Sequence, residues 1–277
     1  MDLRIILTIA ILIVALIALL ARFVGPNIFI GFRIGYTVID DRVWKKTHEF
    51  CVMIFIAAAV IFYLLTMYLK DLLSMIALFI SIMLISTIIT LFKSVEYAEK
   101  ITGFEPTTIK EIKPLEPLKA EHANLISYLL FVIFLLIFTY STITLPQIVA
   151  VRFDLSGKPV AWQDKFSFLV SMLILASSIT IVVKAVTYIG ARHPIVFYSG
   201  LIARKWGKRA LFLLTIYSLQ ITEMIIALTL LVITLYNLPN LEIPAIPTLP
   251  LIALLIMISI FPILLLYHKR TKETISS

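Results

Sequence analysis

LRIILTIAILIVALIALLA, residues 3–21, decides the class of fold. Apart from Arg4 and Thr8 the run is aliphatic or alanine, and at 1.5 Å per residue it is long enough to cross about 30 Å of hydrocarbon. Backbone groups in lipid must be satisfied within the spanning structure, and a run of this length without period-two alternation is a helix and not a barrel strand. It is too long for the apolar core of a secretory signal, lacks a small-residue cleavage site, and passes straight into Arg22. It therefore reads as a retained span.

Outward from this run the same test is met at 49–69, 72–92, 124–145, 166–187, 210–236 and 249–267. The expected architecture is an all-α, polytopic membrane helix bundle of about seven transmembrane helices, multi-pass in the cell membrane, with the lipid bilayer as its first partner. Composition agrees: 61% hydrophobic and 14% charged lies far from the roughly 45–50% and about 25% of soluble domains. A three-span part, 1–92, is followed by a linker at 93–123 and a four-span part, 124–277.

The net charge of +8 has an orienting distribution. Of the 24 basic residues, 18 fall in 22–48, 93–123, 188–209 and the tail, five fall in the alternate loops, and Lys184 lies inside the fifth span. Cytoplasmic loops are enriched in Lys and Arg, so the N-terminus is expected outside and the C-terminus in the cytoplasm. Basic residues beside spans on one side do not form a nucleic-acid surface, and no nucleic-acid partner is expected. Pro106, Pro114 and Pro117 suggest an extended cytoplasmic stretch over 93–123. The stretch 188–209 has the makings of a basic amphipathic helix at an anionic leaflet.

Catalytic signatures do not occur. There is no phosphate-cradling glycine loop, no nucleophile elbow and no HExxH, since His48-Glu49 is followed at position 52 by valine. His48, His122, His193 and His268 are scattered without the spacing of metal ligands, and Cys51 is the single cysteine. No enzymatic activity, metal or cofactor is expected.

Three places stand out. Residues 26–50, PNIFIGFRIGYTVIDDRVWKKTHEF, form a glycine-bent loop in which Asp40 and Asp41 are placed to cap a helix beginning at Trp44. Arg33 there can take a carboxylate or phosphate in two parallel bonds, or pair with an acidic loop residue, and Trp44 can anchor at the interface. Residues 145–165, LPQIVAVRFDLSGKPVAWQDK, combine a span-ending Pro146, turn chemistry at 154–157 and Trp162 at an interfacial position. They read as an ordered outer loop with an anchor, or as an exposed ligand-sensing surface. Glu223, with Gln220 and Thr222 beside it, lies in the middle of the sixth span. An ionisable group there marks an ion or proton site, a buried partner for another polar group, or a neutral acid bonded to a hydroxyl. Lys184 sits too near the end of its own span to reach it directly.

Asn27, Gly31, Arg33, Thr37, Trp44 and His48, with Tyr36 as a further match, resemble the signature of the SdpI-like membrane proteins, roughly N-x-x-x-G-x-R-x-x-x-T followed by W-x-x-x-H. Leu145, Pro146, Phe153, Gly157, Pro159, Trp162 and Lys165 are similar to a second segment of such proteins, DUF1648. Here the two come in reversed order, and Arg152 stands where that segment usually has histidine. The resemblance implies a cytoplasmic binding set (Asn27, Gly31, Arg33, Tyr36, Thr37, Trp44, His48) and an outer one (Pro146, Arg152, Phe153, Gly157, Trp162, Lys165). It also implies an immunity and signalling role, meeting a secreted peptide outside and docking a cytoplasmic regulator inside. Two other readings stay open: a secondary transporter or ion pathway using Glu223, and an accessory subunit that meets other membrane subunits.

Overall fold

A computed structural model describes residues 2–27, 30–69, 71–103, 122–154, 158–197 and 208–238. The elements are α1 (Leu3–Val24), α2 (Gly35–Ile39), α3 (Asp41–Thr66), α4 (Leu72–Thr102), α5 (Ala123–Thr144), β1 (Ile148–Phe153), β2 (Pro159–Asp164), α6 (Lys165–Arg192), a 3-10 turn (Pro194–Phe197) and α7 (Lys208–Tyr236). Six of the helices are long and apolar enough to cross a bilayer, as the hydropathy pattern requires. The seventh expected span, 249–267, lies outside the described residues.

Helix starts follow local chemistry. Asp2, Asp40 and Asp71 accept from backbone N–H groups in the first turns of α1, α3 and α4, including Arg42 N at 2.8 Å and Ser74 N at 2.7 Å, so orphan amides are satisfied by a side chain. Asp40 thereby starts α3 three residues before the expected Trp44. The span expected to begin at 49 is the later part of that helix.

Residues 93–102 correct the extended reading of 93–123: α4 runs on to Thr102 and ends at Gly103 in the left-handed conformation, φ 56°. The prolines begin only at 106, whereas Glu96 pairs with Lys93 and Lys100 at 2.7 Å each, the spacing that supports a helix. The basic amphipathic helix expected over 188–209 is not continuous either. α6 ends at Arg192, His193 N donates to Ile189 O at 2.7 Å, and Pro194 opens the 3-10 turn. A proline lacks the N–H to extend the helix and biases its predecessor away from helical backbone. The stretch 198–207 lies outside the described residues.

The chain divides into two compact units, Met1–Glu121 with Lys184–Phe212, and His122–Val183 with Leu213–Ser277. In the first, a core of Ile11, Ala15, Ala18, Cys51, Phe55, Ala58, Ala59 and Phe62 joins α1 to α3. The alanines allow the two backbones a close approach, as small residues do between helices in lipid. Gly190 serves the same end: a Cβ there would overlap the buried Phe212 ring.

In the second unit α5 and α7 are zipped by polar rungs. Gln220 Nε2 donates to Ala123 O at 2.8 Å, Ser127 bonds Glu223, and the hydroxyls of Ser141 and Thr234 lie 2.7 Å apart. Partner numbers rise together, so the two helices run parallel. The 145–165 segment adds something to the all-helical pattern: β1 and β2 pair as an antiparallel hairpin with an irregularity between Ala150 and Arg152. Its turn is closed by Asp154, whose N–H donates to Lys158 O and whose carboxylate accepts from Lys158 N, both at 2.9 Å.

Candidate functional site

The 25–48 segment is a cap that fastens the end of α1 to the start of α3. Asn27 begins it: its Nδ2 donates to Gly25 O at 2.8 Å and its Oδ1 accepts from Ile30 N at 2.9 Å. Gly31 follows with φ 100°, a conformation that L side chains rarely adopt. Thr37, on the one-turn helix α2, accepts from Ile34 N at 3.0 Å, and its own proton faces the Phe32 and Ile34 carbonyls, each at 3.0 Å.

Trp44 and His48 close the cap. Four residues apart on α3, they share a helix face, and their rings lie 4.1 Å centroid to centroid. Trp44 Nε1 donates to Ala21 O at 2.7 Å, in the buried last turn of α1. His48 Nδ1 lies 2.8 Å from Trp44 O, and its Nε2 accepts from Phe32 N, also at 2.8 Å. A carbonyl can only accept and an amide N–H can only donate, so the ring is the neutral tautomer with its proton on Nδ1. Both aromatic side chains are fully buried.

Five of the seven expected cytoplasmic residues, Asn27, Gly31, Thr37, Trp44 and His48, are thereby brought together, and the side chains of all but Gly31 bond the protein's own backbone. Tyr36 is buried as well, and burial pushes its phenol up to about 12. Arg33 is the exposed member of the set. Around the cap, Arg22 pairs with Glu49 at 2.8 Å, Lys45 with Asp41 at 2.7 Å, Lys46 with Glu49 at 3.3 Å and Arg42 with Asp40 at 3.0 Å. The Arg42 side chain beside Asp40, helped by the amides it caps, holds that carboxyl below its ordinary range. These are rim pairs of small individual worth. The Trp44 indole, expected at the interface, is instead inside, because the bent α1–α3 connection brings a helix-end carbonyl within its reach.

The 145–165 residues meet on the hairpin. Lys165 Nζ donates to Leu145 O at 3.0 Å, and Phe153 packs edge-on against Tyr236 at 4.3 Å. Asn237, which the sequence reading did not single out, holds β1 from the end of α7. Its Oδ1 accepts from Ala150 N at 2.9 Å and its Nδ2 donates to Ala150 O at 3.1 Å, the pattern a neighbouring strand would supply. Arg152 stands on β1, Pro146 just precedes it, and Trp162 on β2 is 58% exposed. Gly157 lies outside the described residues. Asn237→Ala should leave both Ala150 groups without these partners, weakening the hairpin's attachment by about 2 kcal/mol. Backbone hydrogen exchange is expected to accelerate across 148–153 while the 25–48 cap is unchanged.

Glu223 occupies the third place, 5% exposed, with Ser127 and Thr180 as hydrogen-bond partners. Sequence reading identified the acid and left its hydroxyl partner unnamed. Ser127 stands beside Asn124 and Tyr128, and Thr180 beside Ser177 and Ser178, so no sequence signal singled out the two hydroxyls that reach the acid.

Six membrane-length helices, a bonded connection between the first two of them and a short clamped hairpin define a polytopic helical membrane protein. Residues 24–93 match the model of the SdpI/YfhL protein family, a stretch that takes in every residue of the cap motif from Asn27 to His48. Over that stretch the chain is similar to the SdpI/YfhL membrane proteins. No curated protein and no solved structure matches it.

Proposed function

We propose that this is a non-enzymatic membrane sensor or immunity protein, with the hairpin facing outward to meet a secreted peptide and the 25–48 cap facing the cytoplasm to dock a regulator. The observation that carries this reading is the construction of the hairpin. Asn237, Lys165 and the Phe153–Tyr236 contact hold its base, while Ile148, Val160 and Trp162 remain 63%, 48% and 58% exposed. A rigid support that presents an aromatic side chain suits recognition, because little ordering entropy is lost on binding. On the inner side Arg33 is the exposed group of the cap motif, and its planar fork suits a carboxylate of a partner.

Survival under a secreted peptide toxin tests the outer half. Trp162→Ala should lower the tolerated dose about tenfold or more with the membrane-inserted amount unchanged, and Arg33→Ala should release a membrane-held repressor without that loss of tolerance. If cells lacking the protein, and cells carrying either variant, match the wild type in both measurements, the reading is overturned.

A further inference from the structure

We propose that Glu223, Ser127 and Thr180 form a proton-binding site that joins α5, α6 and α7. The three groups are 5%, 1% and 8% exposed, and Glu223 stands 15 residues into the 29-residue α7, about 22 Å along its axis.

Proton counting at the hydrogen bonds shows two complete arrangements. Ser127 Oγ lies 2.6 Å from Oε1 and 2.8 Å from Oε2, and Thr180 Oγ1 lies 2.8 Å from Oε1 and 3.0 Å from Ala176 O. A threonine hydroxyl has one proton, so it cannot donate to both of its neighbours. With the carboxyl neutral, Glu223 donates through Oε1 to Thr180, Thr180 donates to Ala176 O, and Ser127 donates to Oε2. With the carboxyl ionised, the Oε1–H bond has broken, its electron pair stays on the oxygen and the proton has gone to water. Thr180 then rotates its hydroxyl onto Oε1, and Ser127 donates as before. One rotor therefore lets the site hold or release a proton without stranding a donor.

A second feature aims Ser127 at the acid. A helical serine ordinarily bonds the carbonyl four residues back, here Ala123 O, but Gln220 Nε2 takes that carbonyl at 2.8 Å. Gln220 and Glu223 are three residues apart on α7 and so share a face. The glutamine thus keeps Ser127 directed at Glu223.

The helices carry little else that titrates near this level. α5 has Tyr128 and Tyr140, both about half exposed. On α6, Lys165 is occupied with Leu145 O and stands 15 residues before Thr180, while Lys184 is exposed one turn beyond it. α7 has Tyr217, 40% exposed, and Tyr236 at its far end, with Lys208 and Arg209 at its start. Hydroxyls occupy both oxygens of the acid.

The test uses the full chain in proteoliposomes, with dicyclohexylcarbodiimide, which modifies protonated carboxyls in apolar surroundings, and with infrared difference spectra of the carboxyl C=O stretch. Expected are modification at residue 223 that declines as pH rises, and a protonated-carboxyl band that bleaches over the same range and is missing in Glu223→Gln. Ser127→Ala removes a donor to the ionised form, so the midpoint should move to higher pH by about tenfold in proton concentration. Lys184→Gln should leave it in place, and helical content by circular dichroism confirms that each variant folds. A band that persists unchanged at every pH where the protein remains helical would make the acid a fixed structural bond and overturn the proposal. So would absence of both band and modification, or protection by sodium at constant pH, which would indicate a cation site.

Discussion

Gly31→Ala is expected to abolish accumulation of the folded protein, or to lower its midpoint of thermal unfolding in detergent so far that no stable species is purified. Two costs combine. At φ 100° an alanine side chain crowds its own backbone, at about 1–2 kcal/mol. The added Cβ would also overlap His48 Nε2 and stand 2.7 Å from the Ala21 side chain, and forced overpacking adds about 1–3 kcal/mol. Neither neighbour can yield cheaply. His48 is held at both nitrogens, and Ala21 belongs to the helix whose carbonyl accepts from Trp44. Gly103→Ala supplies the control: its φ is also positive, 56°, but no atom lies within 4 Å of the added Cβ. That variant should lose only about 1 kcal/mol. Equal behaviour of the two would show that the close packing beneath Gly31 contributes nothing.

This contrast explains how much the sequence revealed. Membrane helices follow from runs such as 3–21 because hydrophobicity acts locally and the bilayer sets the length. The motif residues were also legible as a set, and W-x-x-x-H placed an aromatic and an imidazole on one helical face. Their task was harder to read, because it depends on contacts distant in sequence. His48 bonds Phe32 across 16 residues, Trp44 bonds Ala21 across 23, and Ser127 bonds Glu223 across 96. No periodicity reports that a helix-end carbonyl will lie over an indole. The hairpin was partly visible for a similar reason: the turn chemistry at 154–157 marked a reversal, but strands of six residues with mixed burial carry a weak pattern. Its support comes from Asn237, 87 residues from Ala150.

Two buried polar groups are held in a similar way. Glu223 and the histidine at the cap are each buried, and each is satisfied by groups from another part of its own unit. A signature of this kind can therefore mark a construction detail where its residue types suggest chemistry. Asn27, Gly31, Thr37, Trp44 and His48 build the connection that carries Arg33, the exposed member of the motif.

The second large effect is expected at Trp44. Trp44→Ala should lower unfolding stability by about 3–5 kcal/mol, the range for deleting a buried aromatic side chain. It removes a ring with 0% exposure, its contact with His48 and the bond to Ala21 O. Trp44→Phe retains much of the packing and loses the N–H, so its cost should fall near 1–2 kcal/mol. Arg22→Ala breaks the ion pair to Glu49 on the same α1–α3 junction, but those side chains are 39% and 33% exposed, and such a pair is worth about 0–1 kcal/mol. The predicted order of loss is therefore Trp44→Ala, then Trp44→Phe, then Arg22→Ala, measured by thermal unfolding in one detergent. If Trp44→Phe proves as damaging as Trp44→Ala, the hydrogen bond to the end of α1 outweighs the packing. If Arg22→Ala exceeds both, the surface charges fasten the helices and the buried indole does not. The expected order follows from desolvation: the indole bond lies where water cannot replace it, whereas the guanidinium and carboxylate can each be rehydrated.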